Sequence, residues 1–317
     1  MKHYRGFIAD SARWEGFEFR PDDIVIMTPA KCGTTWMQNI VGMLVLGRTD
    51  LGRPITEISP WLDMLTRPLD DVVAMLDAQD HRRFIKTHTP FDGLPYDERV
   101  TYLSVLRHPL QVAQSDADHG RNADPDTMIP LRGSVAGFDD LDSLVPPPER
   151  SDDPQERMRQ WLDDTTEYGS PGGTASLRQL LHHARTYWEA RHLPNVHLFH
   201  YSDLRRDLAG QMRRVAAALG VPVPADFDDY VAAATFDRMK AAADRTAPDA
   251  EFGTWKSNAD FFRSADDRSW DFMTPDDVAH FESLLVELAG PDLAEFMCNG
   301  VGPVSYTHLT LPTIYSV

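Results

Sequence analysis

The sequence predicts an α/β fold: a parallel sheet flanked by helices on both faces, in a single domain that carries a loop-rich cap insertion. Three observations predict it. Short apolar runs rich in β-branched residues alternate with helix-patterned stretches, the signature of strand–helix–strand units. Residues 27–44, "MTPAKCGTTWMQNIVGML", read as a strand end, a short P-loop-like Gly/Thr turn and a helix. Between 120 and 173 the chain is instead rich in Pro, Gly and Asp, and no internal repeat is visible anywhere.

In chain order, "DDIVIMT" (22–28) is apolar and β-branched, so it predicts a buried strand. A helix follows over about 34–46. "RRFIKTH" (82–88) and "TYLSVLR" (101–107) predict two further strands. "HPLQVAQSDADH" starts a helix, with Pro109 suited to its first turn, where the missing N–H costs nothing. The 120–173 insertion, including "VPPPERSDDP", is expected to hold one short helix around 157–165. "LRQLLHHARTYWEAR" predicts a helix, and "NVHLFHYSD" a strand running to a turn. "LRRDLAGQMRRVAAALG" predicts one amphipathic helix closed by Gly220.

Composition narrows the function classes. The 317 residues suffice for a sizeable core, and 42% hydrophobic with 25% charged residues is ordinary for a soluble globular protein. A net charge of -18 argues against nucleic acid or an anionic membrane as the main partner. An anionic ligand would therefore need a local positive island. Two cysteines, Cys32 and Cys298, stand far apart in no metal-ligand spacing, which suits a reducing cytoplasm. The first residues contain no long apolar run, so neither a signal peptide nor stable membrane insertion is expected. Association between copies of the chain is left open. The last residues, "VSYTHLTLPTIYSV" (304–317), lack Asp, Glu, Lys and Arg. Most of this stretch matches a translated sequencing adapter, so it is set aside as non-native, and 1–303 is taken as the folding unit; a natural β-rich tail is the alternative.

The chemistry starts at "TPAKCGTTW". Gly33 lets the backbone approach a ligand closely, and the helix N-terminus at Thr34 favours an anion. Thr34 and Thr35 add hydroxyls, and Lys31 adds a full charge. A plain strand-to-helix turn with a solvated lysine is the alternative. The order differs from the ATP-binding loop G-x-x-x-x-G-K-[ST], because Lys31 precedes the glycine, and no apolar strand ends in a magnesium-binding aspartate. The stretch instead resembles the 5′-phosphosulfate loop T-Y-P-K-S-G-T-T-W of the cytosolic-type sulfotransferases, and the chain resembles a bacterial member of that family. Pro29-Ala30-Lys31-Cys32 stands where the family has Tyr-Pro-Lys-Ser. Cys32 then reads as a serine replacement rather than a catalytic thiol.

The resemblance continues in order along the chain. "FIKTHTPFDGLP" (84–95) places Lys86 and His88 on one face of a strand end, and His88 occupies the slot of the family's catalytic histidine in K-T-H-L-P. Alone, one of twelve histidines would more simply be structural. Arg107 and Ser115 match the family's R-x(7)-S site for a 3′-phosphate, provided the helix carrying Ser115 starts close to Arg107. Tyr201 in "FHYSDL" matches the tyrosine near the nucleotide, Phe236 in "ATFDRMK" the aromatic beside adenine, and Trp36 would stack on the same base. For each aromatic, plain core packing is the alternative. Arg263 and Trp270 in "FFRSADDRSW" keep their places in F-M-R-K-G-x-x-G-x-W, but Ser264, Ala265 and Arg268 replace Lys, Gly and Gly. That substitution removes the glycine freedom with which the family's loop closes on the 3′-phosphate.

The resemblance implies a sulfotransferase whose donor is 3′-phosphoadenosine 5′-phosphosulfate, with no metal required. It implies that Lys31, Cys32, Gly33, Thr34, Thr35 and Trp36 hold the donor with Arg107, Ser115, Tyr201, Phe236 and Arg263. It assigns catalysis to His88 as general base, Lys31 on the leaving oxygen and Lys86 on the sulfuryl oxygens. The charge logic agrees, since a sulfuryl group carries less charge than a phosphoryl group and lysines with backbone donors can stabilise it. The acceptor is expected to be a hydroxyl or amine of a small molecule, lipid or glycan, held by the 120–173 stretch and the turn around Phe91 and Leu94. The rival readings are a P-loop kinase-like phosphotransferase and a catalytically weak nucleotide-binding module.

Overall fold

The computed structural model describes residues 1–139, 149–165, 176–262 and 270–300. Its centre is a sheet of four parallel strands: β1 (Ile24–Met27), β2 (Phe84–Thr87), β3 (Thr101–Leu106) and β4 (Val196–His200), in the order β2-β1-β3-β4. Register runs from Ile24 opposite Phe84 and Thr101 on either side, to Leu106 opposite His200. Every strand residue except His197 is buried, as expected for a sheet covered on both faces.

Strand alternation divides the interior into two cores. Val25, Met27, Ile85, Tyr102 and Leu106 point to one face. There they meet helices α2 (Leu69–Asp77), α3 (Pro109–Asn122), α5 (Pro154–Asp163), α6 (Leu177–Ala190) and α9 (Pro275–Ala289). Ile24, Ile26, Phe84, Leu103 and Val105 point to the other. That face is covered by α1 (Thr34–Leu46) and α8 (Leu208–Leu219). α1 is apolar on nearly all sides and almost wholly buried, so its position relative to the sheet is set by packing all round rather than by one stripe.

The predicted strands and α1 stand where the sequence puts them. Two details differ. α4 (Pro125–Ala136) occupies part of the stretch expected to be loop-rich; Asp124 caps it and Pro125 sits in its first turn, which outweighs the internal Pro130. Together with α5, the insertion carries two helices among its described residues. The helix expected over 204–220 is two: α7 (Tyr201–Arg206) follows β4 directly, and Asp207, at φ -142°, breaks the chain and caps α8 through the Gly210 N–H. The tail at 304–317 and Arg263 lie outside the described residues.

Candidate active site

Each strand delivers chemistry at its carboxyl end. β1 runs into Lys31 and Gly33, β2 carries Lys86 and ends next to His88, β3 ends before Arg107, and β4 before Tyr201. β2 and β3 flank β1 on opposite sides, so the chain diverges there and leaves a crevice beyond the strand ends. A cavity of about 340 Å³ occupies that place, the size of a small-ligand site. Lys31, Gly33, Thr34, Thr35, Trp36, Lys86, His88, Arg107, Ser115, Tyr201 and Phe236 all line it. A larger cleft of about 420 Å³ lies beside Met43, Leu51 and Arg238; it shares only Met239 with the first and contains none of these groups.

The loop is built to receive an anion. Lys31 and Gly33 adopt positive φ, +64° and +107°. Gly33 is the N-cap of α1 and provides no side-chain cap, so the first amides of the helix keep their donors. A Cβ on Gly33 would stand 3.1 Å from the Tyr201 ring, a tight contact, and the φ of +107° is one that glycine takes without strain. The hydroxyls of Thr28 and Thr34 bond to each other. Cys32 behaves differently from its neighbours. Its side chain is fully buried in the core and is not part of the cavity wall; burial pushes its thiol up to about 12, so it stays protonated and unreactive.

Several contacts hold Arg107, among them Nε donating to Gln111 Oε1 at 3.1 Å, Nη1 donating to the Lys31 carbonyl at 3.1 Å, and the guanidinium 4.1 Å from the Tyr201 ring centre. α3 starts at Pro109, so Ser115 lies in its second turn and reaches the same cavity. Trp36 is nearly buried; its Nε1 donates to the Ala234 carbonyl at 2.8 Å and its ring meets Tyr201 edge-on at 5.4 Å. Residue 234, alanine here, thus contributes through its backbone.

His88 and the lysines are tuned by burial. The His88 ring lies 2.7 Å, through Nδ1, from the Thr28 carbonyl. A carbonyl only accepts, so Nδ1 carries the proton and Nε2 is left with a lone pair. Desolvation first, and then the charges of Lys86 and Lys31, hold the imidazole well below the usual histidine range, against the Thr28 bond. It is therefore neutral at pH 7. Burial lowers both Lys31 and Lys86 to about 8; Asp116 opposes this at Lys31, and Asp249 and Asp63 at Lys86. At neutral pH both remain mainly ammonium ions.

Several lining residues carry no motif. Trp61 faces Lys86 at 4.1 Å from ring centre to Nζ and meets His88 edge-on at 4.8 Å. His119 packs on Trp255 at 4.7 Å and Phe261 at 5.8 Å, with the Lys31 ammonium 5.1 Å from the Phe261 ring centre. Ile8, Met64 and Met128 add apolar wall. Phe91 and Leu94 do not line the cavity: Phe91 packs edge-on against Tyr102 and Leu94 is buried in the core. Among the described residues of the 120–173 stretch, Ala123 and Met128 line it.

Residues 21–290 match the family model of the sulfotransferase domain. A glycolipid sulfotransferase of Mycobacterium bovis (strain BCG / Pasteur 1173P2) is 39% identical over 310 residues, spanning 94% of this chain and 94% of that protein. Sulfotransferase 1A1 of Rattus norvegicus is 26% identical over 233 residues, 71% of this chain and 69% of its own length. Among solved structures, mouse sulfotransferase SULT7A1 complexed with PAP aligns with a TM-score of 0.63 at 18% identity, covering 90% of both chains. At that identity the likeness speaks for the fold.

Proposed function

The chain belongs to the sulfotransferase domain family, and from that premise we propose that it moves a sulfuryl group from 3′-phosphoadenosine 5′-phosphosulfate to a hydroxyl of a glycolipid, with His88 as general base. The glycolipid is suggested by the Mycobacterium bovis relative, and the apolar wall of Ile8, Met64 and Met128 beside the reactive groups suits a lipid chain. Family membership removes the phosphotransferase reading. No helix among the described residues is long and apolar enough to cross a membrane.

The donor set fits the nucleotide. Its cations, hydroxyls and uncapped helix amides are gathered where a phosphosulfate would lie, and the space beside Gly33 is one that a Cβ would fill. Lys31 would stabilise charge on the leaving oxygen and Lys86 would hold the sulfuryl oxygens. Arg107 and Ser115 would read the 3′-phosphate, with Arg263 as a further cation. Trp36, Tyr201 and Phe236 would bound the base.

The observation that carries the reading is the His88–Thr28 hydrogen bond. It fixes the tautomer, burial removes the ring's charge, and the two lysines stand beside it, so a neutral base and a cationic receiver of charge share one cavity. His88 would take the acceptor's proton as its oxygen attacks sulfur. The test is sulfuryl transfer from the donor to n-octyl β-D-glucopyranoside, a sugar hydroxyl on an alkyl chain. Transfer that exceeds transfer to glucose supports a glycolipid acceptor, and transfer to neither, with donor binding intact, contradicts it.

A further inference from the structure

We propose that Asp63 is a positioning residue for the transfer step: its carboxylate clamps the two residues that flank His88 and sets a buried negative charge beneath the strand end that carries Lys86. Asp63 is fully buried. Thr87 Oγ1 and Thr89 Oγ1 donate to its Oδ2 at 2.7 and 2.5 Å, and Trp14 Nε1 donates to the same oxygen at 3.1 Å. The backbone between them is fixed as well. The Thr89 N–H donates to Thr87 Oγ1 at 2.9 Å, and the Tyr187 hydroxyl donates to the Thr89 carbonyl at 2.7 Å. His88 is therefore held from both neighbours by one carboxylate. The same short segment also works from the cavity side: the Pro60 carbonyl accepts the Lys86 N–H at 2.9 Å, and Trp61 covers Lys86 and His88.

A clamp alone would not need a charge. Burying a carboxylate costs several kcal/mol, and apolar packing of similar volume is often as stable. Three donors converge on Oδ2, while among the described residues Oδ1 is buried with no hydrogen-bond partner. Burial pushes the Asp63 carboxyl above its usual range, while the Thr89, Thr87 and Trp14 donors on Oδ2 favour the charged form that acts on Lys86. The groups around it are Lys86 towards the cavity, Tyr187 in the core and the half-buried Arg13. Beyond Lys86 stand Asp249, Lys31, His88 and His119, with Asp116 and Asp118 next to Lys31 and His183 behind His88. Asp63 and Asp249 are the two that favour the Lys86 ammonium against desolvation.

The inference rests on the reading of His88 as base, and its test separates the two. In the full chain saturated with adenosine 3′,5′-bisphosphate, the Lys86 ammonium is titrated by NMR; this needs no acceptor. Sulfuryl transfer is measured in parallel with octyl glucoside. Asp63→Asn should bind the nucleotide like the parent, lose about 10²-fold in kcat, and titrate Lys86 about one unit lower. Thr89→Val should lower kcat without moving Lys86, because the charge remains, and Thr89→Ser should restore the parental rate. A folded Asp63→Asn with parental kcat and Lys86 titration overturns the proposal. So does a variant in which affinity and rate fall together while the titration stays. If Asp63→Asn does not fold, parental kcat in Thr89→Val overturns it. His88→Ala in the same assay reports on the base reading alone: parental turnover there rejects the base, whatever Asp63 does.

Discussion

Lys31 and Gly33 share positive φ but not the reason for it. Glycine takes its φ without strain at Gly33, where a methyl would also stand 3.1 Å from the Tyr201 ring. Gly33→Ala should therefore lose about 1–2 kcal/mol of stability and most of its affinity for adenosine 3′,5′-bisphosphate. Denaturant melts and calorimetry check both, and parental affinity would contradict the cradle. Lys31 accepts a left-handed backbone that costs a non-glycine residue energy, consistent with strain held at a functional position. Lys31→Gly should melt close to the parent yet lose about 10²–10³-fold in transfer, the worth of one preorganised charge-stabilising donor. Single-turnover assays measure it, and retained transfer would remove Lys31 from the mechanism. The place of both residues at the crevice was legible in sequence from the loop's order of lysine, glycine and threonine. Asp63, Trp61 and His119 were not. Each looks like an ordinary core or helix residue until the sheet brings it to β2 or the cavity.

At the level of elements, four strand ends and one uncapped helix converge on one crevice. Strands were legible from short β-branched runs, and α1 from the Gly33–Thr34 start. α4 was hidden because Pro125, Pro130 and Gly133 suggest a loop, although Asp124-Pro125 is a helix-start signal. Part of the cavity wall was illegible for a related reason. Trp61, His119 and Trp255 come from three separate segments, and Trp255 reaches the site only because the 254–257 stretch is laced to the end of α3: the Lys256 N–H donates to the Asn122 carbonyl at 2.8 Å, and Asn122 Nδ2 donates to the Ser257 carbonyl at 2.9 Å. A prediction belongs to this convergence. Arg107 at the end of β3 and Ser115 in α3 should favour a 3′-phosphate. Charge-assisted contacts contribute about 1.5–3 kcal/mol each, so adenosine 3′,5′-bisphosphate should bind more than about tenfold tighter than AMP without added metal. Equal affinities by calorimetry would contradict the assignment.

Across the whole molecule, a net charge of -18 surrounds a cavity that holds Lys31, Lys86 and Arg107. The sequence showed the need for this positive island but not its depth, and depth sets the pH dependence. Burial lowers Lys31 and Lys86 to about 8 in the folded chain. A depressed lysine costs the native state stability below pH 8. That cost is relieved between about pH 8 and the ordinary lysine value, where the unfolded chain binds more protons. The free protein should thus gain stability from these two groups as pH rises through that window. The bound nucleotide needs the Lys31 charge, so the melting-temperature increase it gives should shrink over the same window. Transfer should likewise fall above pH 8 and hold down to below pH 6.5, where His88 finally protonates. Thermal melts with and without nucleotide across pH measure the linkage, and a nucleotide-induced increase that grows above pH 8 would contradict it.

The central claim is that His88 is the base of a sulfuryl transfer and not a packing residue. The most direct test pairs nucleotide affinity with single-turnover transfer in folded His88→Ala. The account predicts parental affinity for adenosine 3′,5′-bisphosphate, a loss of about 10²–10⁴-fold in transfer, and disappearance of the acid limb that reports neutral imidazole. A packing histidine would give a lower melting temperature with affinity and transfer falling together, and retained transfer in the folded variant would contradict the claim outright.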